Sequence, residues 1–300
     1  MSQIKVTEDK RVCDLLPPAV VSFVNLPAKP PTNVVDWTCI HPAHIQEFIR
    51  VLPRPNNHLS VLPYAVVYAP EVYPGSTDFK TVSVGLQLYG YIASARVGEH
   101  GNWDMTERGI PRALWNLRIV GGPLAEVFRQ QADALWDIEQ FIIASIRGHG
   151  LSVADEEKGR AHFRKSIFIA QRVFHKVRNG KPEKNLAKGL AAQYDRKWRI
   201  PEVPQFGERL QDGTIRPYRQ ERFRRGDFVQ VSVQFDTQSS LPPSGDDVVV
   251  RLLLRQLILL VPAADTGAGK IIPGLEIRGE KKEDRREVAV DKAPAFQQMF

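Results

Sequence analysis

Two alternating runs near the carboxyl end constrain the fold of this chain more than any other feature. Phe228 to Phe235 places an apolar side chain at every second position, and Val248 to Val261 does so at most even-numbered positions. A period of two is typical of a strand with one buried face. A polar loop with Pro, Ser and Gly separates the runs, so together they predict an antiparallel hairpin. A helix over the second run, with Arg251 and Arg255 one turn apart, stays open.

Three further strand-like runs lie in the first half of the sequence. They are Val61 to Tyr68, Phe79 to Val97 and Leu114 to Val120. The middle run alternates most clearly, and Gly85 and Gly90 are candidate bend or bulge points within it. Residues 98–109 are rich in Gly and charge and predict a turn.

The middle of the chain has helical periodicity instead. Leu124 to Arg147 predicts one long helix, Asp155 to Arg178 a second with its own apolar stripe, and Lys184 to Arg199 a short third. A shorter helix is predicted at Ala43 to Leu52. Pro201 to Pro217 predicts an irregular linker.

These elements predict an α+β protein. Strands from both ends of the sequence form one antiparallel β sheet or barrel, with a central helical layer beside it. The predicted organisation is a Pro-rich arm over residues 1–34, a single α+β domain over 35–262 and a flexible tail over 263–300. Within the domain, residues 61–120 and 226–261 supply the strands, and residues 124–199 supply the helices.

The charge of the chain is concentrated in one block. Residues 158–225 hold 19 Lys and Arg against 6 Asp and Glu, whereas the segments on either side are slightly acidic and the whole chain is +7. Concentrated positive charge attracts polyanions, so the block predicts a nucleic-acid partner. A solvated charged surface and another acidic partner stay open as alternatives.

Within this block, two segments interleave aromatic and basic side chains. Lys and Arg bind phosphates, and aromatic rings stack on bases. The predicted nucleic-acid-binding residues here are Lys197, Trp198, Arg199, Arg216, Tyr218, Arg219, Arg222, Phe223, Arg224 and Arg225. The helix at 158–178 has an apolar stripe, so part of its charge is explained by its solvated side alone. The prediction therefore rests mainly on residues 197–225.

A second set of candidates comes from the strands. On a half-open sheet, Tyr89, Tyr91, Phe228, Arg251 and Arg255 would lie on the exposed side, where the rings could stack on bases. The alternative is that the helices cover this side and pack the tyrosines.

No catalytic residue, metal site or cofactor is predicted. His41 and His44 lack a third ligand at metal-binding spacing, and Asp133 and Asp137 share a helix face in a way that solvated surface explains. The fragment Gly267-Ala-Gly-Lys lacks the full spacing of a phosphate-binding loop and its following Ser or Thr.

Two cysteines, Cys13 and Cys39, give no disulfide framework, and the first residues show no signal peptide. The longest apolar stretch is 14 residues, shorter than the roughly 20 of a membrane span. We therefore expect an intracellular protein without a membrane partner; nucleus and cytoplasm are not distinguished.

The stretch Arg225 to Phe235, a polar loop and Val248 to Leu260 resembles the closing hairpin of phage-type OB-fold single-stranded-DNA-binding proteins. The resemblance spans residues 225–261. It implies an OB-like barrel that holds a single strand along a basic, aromatic groove. Phe300 is similar to the terminal aromatic residue of that family, but the tail before it is mixed in charge, where theirs is acidic.

The predicted function is non-catalytic, weakly sequence-specific binding of nucleic acid, with single-stranded DNA favoured over RNA only through the resemblance. A homo-oligomer built on the helix at 124–147 would multiply a weak groove. One alternative is a capsid-like assembly protein, with the Pro-rich segment Leu16 to Asn33 exchanged between subunits. The other is a metal-dependent nuclease.

Overall fold

The computed structural model describes residues 37–53, 61–69, 83–148, 153–176, 194, 197–200, 202–240 and 248–266. The strands are β1 Ile49–Pro53, β2 Val61–Tyr68, β3 Gly85–Arg96, β4 Leu114–Val120, β5 Ile167–Arg172, β6 His175–Lys176, β7 Trp198–Arg199, β8 Gln205–Arg209, β9 Ile215–Pro217, β10 Phe228–Ser240 and β11 Val248–Val261. The helices are α1 Ala125–Arg147, α2 Val153–Lys165 and α3 Ala263–Thr266. Short 3₁₀ helices lie at Trp37–Cys39, Pro42–Glu47, Ile110–Arg112, Gly122–Leu124 and Gln220–Arg222.

Most strands join one large sheet. Its order is β5-β4-β3-β10-β11-β8-β9, and β2 pairs with the far end of β10 and with β1. All of these pairs are antiparallel except the parallel pair of β11 and β8. The prediction of an α+β protein with a mainly antiparallel sheet is confirmed. β11 also contacts β5 without a ladder between them in the described residues, so the sheet is not closed; we call this line the seam.

The predicted hairpin forms the centre of the sheet, and β11 has the predicted bounds. The inward side of β10 places Val229, Val231 and Val233 opposite leucines of β11, all within the main core. Burying each such side chain stabilises the fold by roughly 1.5–3 kcal/mol. A β-bulge at Arg255 shifts the phase of β11, so Leu254 points inward before it and Leu257 after it.

Helix α1 closes the core from one side. Phe128, Leu135, Ile138 and Ile142 are buried in the main core. The helix ends at Arg147 and is capped by Gly148, whose φ of 81° is the left-handed conformation that glycine adopts without a steric penalty. Because the apolar side of α1 packs on its own sheet, those side chains are not available for the oligomer interface suggested by the sequence.

Side chains cap the edge of β3 at residues 85–89, beside which the described part of the chain places no strand. The hydroxyl of Tyr68 donates to Gly85 O at 3.0 Å and accepts from Gly85 N at 3.3 Å. The indole of Trp37 donates to Gln87 O at 3.3 Å. The amide of Gln131 on α1 accepts from Tyr89 N at 2.8 Å and donates to Tyr89 O at 3.2 Å. Every second residue along this edge is therefore hydrogen-bonded by a side chain.

Tyr89, Tyr91 and Phe228 are buried, contrary to the exposed position expected for them. They lie on the outer side of the sheet, but Leu124 and Val127 at the start of α1 cover them in a second, smaller apolar cluster. The rings of Tyr91 and Phe228 have centroids 5.0 Å apart. Burial raises the pKa of Tyr91. These rings are not accessible for stacking on a base.

The helical prediction beyond Lys165 is wrong, because residues 167–172 form β5. Ile167 and Ile169 are buried and Phe168 is exposed, so the period here is two. The same residues also fit helical spacing, and hydrogen bonding to the free edge of β4 decides between the two patterns.

Two further predictions are wrong for the same reason, because pairing with a neighbouring strand gives each segment a β structure. Residues 49–53 form β1 after a 3₁₀ turn where a helix was predicted. The predicted linker at 201–217 contains the hairpin of β8 and β9. The Pro-rich arm, the tail past Thr266 and most of the predicted third helix lie outside the described residues, although Trp198 and Arg199 of that helix form β7. In the described part of the chain, no helix is both long and apolar enough to cross a membrane.

Glu139 on α1 gives a test of this packing. Burial raises the pKa of its carboxyl from 4.5 to about 7. A raised native-state pKa means that the native state binds the proton more tightly, so its contribution to stability falls as pH rises from about 4.5 to about 7. We expect Glu139→Gln to raise the free energy of unfolding by about 1–3 kcal/mol at pH 8 and hardly at all at pH 4.5. Urea unfolding at both pH values measures this, with the exposed Glu126→Gln as control; equal effects at the two pH values would contradict it.

Candidate nucleic-acid interface

The outer side of β3, β4 and β5 forms a basic surface that the sequence did not reveal. Strand register places Arg118 between Ser94 and Phe168, and Asn116 between Arg96 and Ala170. Alternate residues on these strands, such as Leu117 and Ile169, are fully buried, which fixes the side that faces out. We call this surface the Arg118–Phe168 face. It consists of Ser94, Arg96, Asn116, Arg118, Phe168, Ala170 and Arg172.

An exposed aromatic ring lies at its centre. Phe168 is 50% exposed although it sits within a strand. The guanidinium carbon of Arg118 lies 5.9 Å from the ring centroid, which is cation–π distance. The ring and the guanidinium together offer a flat apolar surface next to a positive charge.

The face carries three arginines and no acidic residue at its register positions. Arg172 extends it towards the end of β5, where its Nη1 donates to Pro111 O at 3.2 Å. Such a surface attracts phosphate. The alternation of residues 167–172 was the signal for this strand, but only the pairing with β4 brings Phe168 opposite Arg118.

The charge of α2, in contrast, is partly neutralised. Arg164 makes two hydrogen bonds to the carboxylate of Asp133, at 2.6 and 2.8 Å, and Arg160 reaches Asp137 at 2.7 Å. Burial raises the pKa of Asp137 against the lowering effect of Arg160. This agrees with the view that the basic helix has a structural role. The carboxylates of Asp133 and Asp137 are occupied by arginines, and the described residues contain no group of three or more potential metal ligands.

Several of the predicted binding residues also make ion pairs. Lys197 pairs with Glu107 at 3.2 Å, and Arg216 pairs with Glu208 at 2.7 Å. Arg255 pairs with Glu202. Surface pairs of this kind are weak, so these side chains can exchange their partner for a phosphate at little cost. Trp198 is half-buried against the main core, and Arg199 lies opposite His175 in the β6–β7 pair.

The turn before β10 carries exposed arginines, which are Arg219, Arg222, Arg224 and Arg225. Its anchor is Asp227, which is 3% exposed. One carboxylate oxygen of Asp227 accepts from Arg224 N at 2.7 Å and the other from Ala263 N at 2.8 Å. Burial raises the pKa of this carboxyl, while the two N–H groups lower it. We call residues 219–225 the basic turn.

The aromatic residues beside this turn serve the fold. Phe223 is buried, and its ring lies 5.1 Å from that of Tyr218 in an edge-to-face contact. Tyr218 is half-buried against the main core, and burial raises its pKa. The expectation that Phe223 stacks on a base is therefore corrected. The arginines of the basic turn face solvent, whereas the rings of Phe223 and Tyr218 face the core.

Comparison with known proteins finds only weak structural similarity. No family model and no curated protein matches the chain. Among solved structures, the single-stranded DNA-binding protein from bacteriophage Enc34 has a TM-score of 0.34 and 7% identity, over 71% of this chain and 90% of that chain. The same protein with a C-terminal truncation has a TM-score of 0.32, 8% identity and coverage of 71% and 95%. Its complex with single-stranded DNA has a TM-score of 0.29, 10% identity and coverage of 71% and 96%. All three are structures of a bacteriophage single-stranded-DNA-binding protein, which is the kind of protein that residues 225–261 resemble in sequence.

Proposed function

We propose that this protein binds single-stranded nucleic acid, with single-stranded DNA as the first candidate, and that it does so without catalysis at the Arg118–Phe168 face. One observation carries the proposal: Phe168 is half-exposed within a strand, opposite an arginine, on a face that has no acidic residue. A base stacked on such a ring gains roughly 1–3 kcal/mol. The arginines around it supply contacts to the phosphates.

The geometry favours an unpaired strand. Phe168 lies on a sheet surface and not at the tip of a protruding element, so it contacts a base only by its flat side or edge. Bases in a duplex are already stacked on each other, whereas those of a single strand can turn onto the ring. Stacking does not depend on base identity, so we expect weak sequence preference.

The basic turn at 219–225 would add phosphate contacts. Its arginines are exposed, and Asp227 fixes the backbone from which they project. Arg251 is exposed on β11 and would contribute in the same way. No specific observation in the described residues favours the capsid-like or the nuclease alternative. Light scattering would measure the oligomeric state.

Phe168→Ala tests the proposal directly. We expect it to weaken binding of a short thymidine oligonucleotide by about 5- to 100-fold, because the stacking surface is lost. The salt dependence should stay unchanged, since no charge is removed. Fluorescence anisotropy at low and moderate salt measures both quantities.

Two controls accompany this variant. Phe168→Trp keeps a stacking ring and should bind at least as well as the original protein. Met105→Ala removes an exposed apolar side chain from the loop between β3 and β4 and should have no effect. If Phe168→Ala binds the oligonucleotide with unchanged affinity, the nucleic acid binds elsewhere on the protein. If the original protein binds no oligonucleotide at low salt, the proposed function is refuted.

A further inference from the structure

A row of uncharged polar side chains crosses the other half of the sheet. Register aligns Gln87 on β3, Ser232 on β10, Gln256 on β11 and Gln205 on β8. Ser232 and Gln256 are half-buried, whereas Gln87 and Gln205 at the two ends are exposed. We call these four residues the amide row. It lies on the outer side of the sheet, as does the Arg118–Phe168 face.

Hydrogen bonds orient the amide row. The hydroxyl of Ser232 donates to Gln256 Oε1 at 3.3 Å, and Gln256 Nε2 donates to Gln205 Oε1 at 3.3 Å. A carboxamide both donates and accepts, as do the edges of nucleic-acid bases, whereas a phosphate only accepts. The chemistry of the row therefore suits base edges better than the backbone of a strand.

Arginines flank the row on both sides. Arg209 Nη2 donates to Gln230 at 3.0 Å, and Arg255 Nε donates to Gln234 at 2.7 Å. Both hydrogen bonds hold a cation against a glutamine of β10. Arg251 follows, exposed and opposite Asp236. Charges suited to phosphate thus border the uncharged positions suited to bases.

The two outer surfaces meet at the seam. β5, which ends at Arg172, contacts β11, which carries Arg251. His175, three residues past Arg172, interacts electrostatically with charges on both surfaces: partial desolvation and the charges of Arg172 and Arg199 lower its pKa, and the charge of Asp236, which lies opposite Arg251, raises it. The Arg172 end of the Arg118–Phe168 face therefore adjoins the Asp236–Arg251 end of the other surface. The route along β3 is covered by the start of α1, where Val127 packs on Tyr91 and its neighbours.

We propose that a single strand bound at the Arg118–Phe168 face crosses the seam past Arg172 and Arg251, and that the amide row hydrogen-bonds the edges of its bases. This inference rests on the proposed function and extends it by a second contact site. The first site holds a base by its flat side, and the second reads its polar edge. Short oligonucleotides fill only the first site, and longer ones fill both.

The experiment compares oligonucleotide lengths in the full-length chain. We expect Gln205→Ala with Gln256→Ala to leave a thymidine 5-mer unaffected and to weaken a thymidine 16-mer by about tenfold. A 16-mer of abasic sugar-phosphate should be insensitive to the double variant, because it has no base edges. Gln46→Ala with Gln211→Ala, two exposed glutamines elsewhere, is the matched control. Retained binding of the 5-mer shows that the variant is folded.

The outcomes separate this inference from the function beneath it. If no oligonucleotide binds at low salt, the proposed function fails and the inference with it. If the 5-mer binds but the double variant has the same affinity for the 16-mer as the original protein, the inference fails and the proposed function stands. An equal loss for both lengths, or an equal loss for the abasic strand, also overturns it. If light scattering without nucleic acid shows that the double variant and the original protein differ in oligomeric mass, the amide row contacts another subunit and the inference fails.

Discussion

Replacing Arg118 and Arg172 together by glutamine is expected to lower affinity for a single-stranded oligonucleotide by about 10- to 100-fold at about 0.1 M salt. Both guanidinium groups lie on the face that carries Phe168, and no acid on that face pairs with them. Each phosphate contact on a single strand contributes roughly 0.7 to the slope of log affinity against log salt, so the slope should fall by about 1.4. A salt titration followed by anisotropy gives affinity and slope from one data set.

A charge-matched control separates local contact from general attraction. Arg129→Gln with Lys158→Gln removes the same charge from exposed positions on α1 and α2. We expect this pair to change affinity by less than about threefold, since long-range charge is screened at this salt. If both double variants weaken binding equally, the Arg118–Phe168 face has no special role.

Asp227→Asn is expected to lower the free energy of unfolding by about 1–3 kcal/mol. The carboxylate accepts the N–H groups of Arg224 and Ala263 with its two oxygens, and an amide has only one acceptor oxygen. One N–H would then face an NH₂ group, and the side chain is too buried for water to replace the lost bond. Urea unfolding measures the change. The basic turn would also lose its anchor, so the folded variant should bind an oligonucleotide more weakly.

Asp212→Asn is the natural control for this effect. Asp212 also accepts two hydrogen bonds, from Thr214 N at 2.9 Å and Thr214 Oγ1 at 2.6 Å, but both reach the same oxygen, Oδ1, and the side chain is exposed. An amide keeps that acceptor oxygen and water reaches the side chain, so the substitution should cost less than about 1 kcal/mol. Similar losses for the two variants would show that neither the burial of Asp227 nor the separate use of its two oxygens makes it important.

The sequence predicted the strands with one buried face most accurately. β2, β4 and β11 have the predicted bounds, and each of them pairs with a strand on both sides. β5 was missed because Phe163, Ile167, Ala170 and Phe174 fit a helix as well as a strand. Only the free edge of β4 resolves that ambiguity, and it is a tertiary feature.

The sequence predicted the exposed positive charge of the candidate site, but it did not predict which aromatic rings are exposed. The arginines of the basic turn are exposed, as the composition indicated, but Phe223 beside them packs on Tyr218. A ring next to arginines in sequence can turn to the opposite side of the chain, and the core competes with any ligand for it. Phe168, the exposed ring, gave no such signal, because its neighbour Arg118 is distant in sequence and adjacent only through strand register.

The capped edge of β3 bears on how this protein can remain separate from its copies. An uncovered strand edge is a template on which another chain can add a strand, and crowding along a shared ligand increases that hazard. Here Tyr68, Trp37 and Gln131 occupy the edge groups of Gly85, Gln87 and Tyr89. Copies brought side by side on one nucleic-acid strand would thus find no backbone to pair with at this edge, and any contact between them would have to form through side chains.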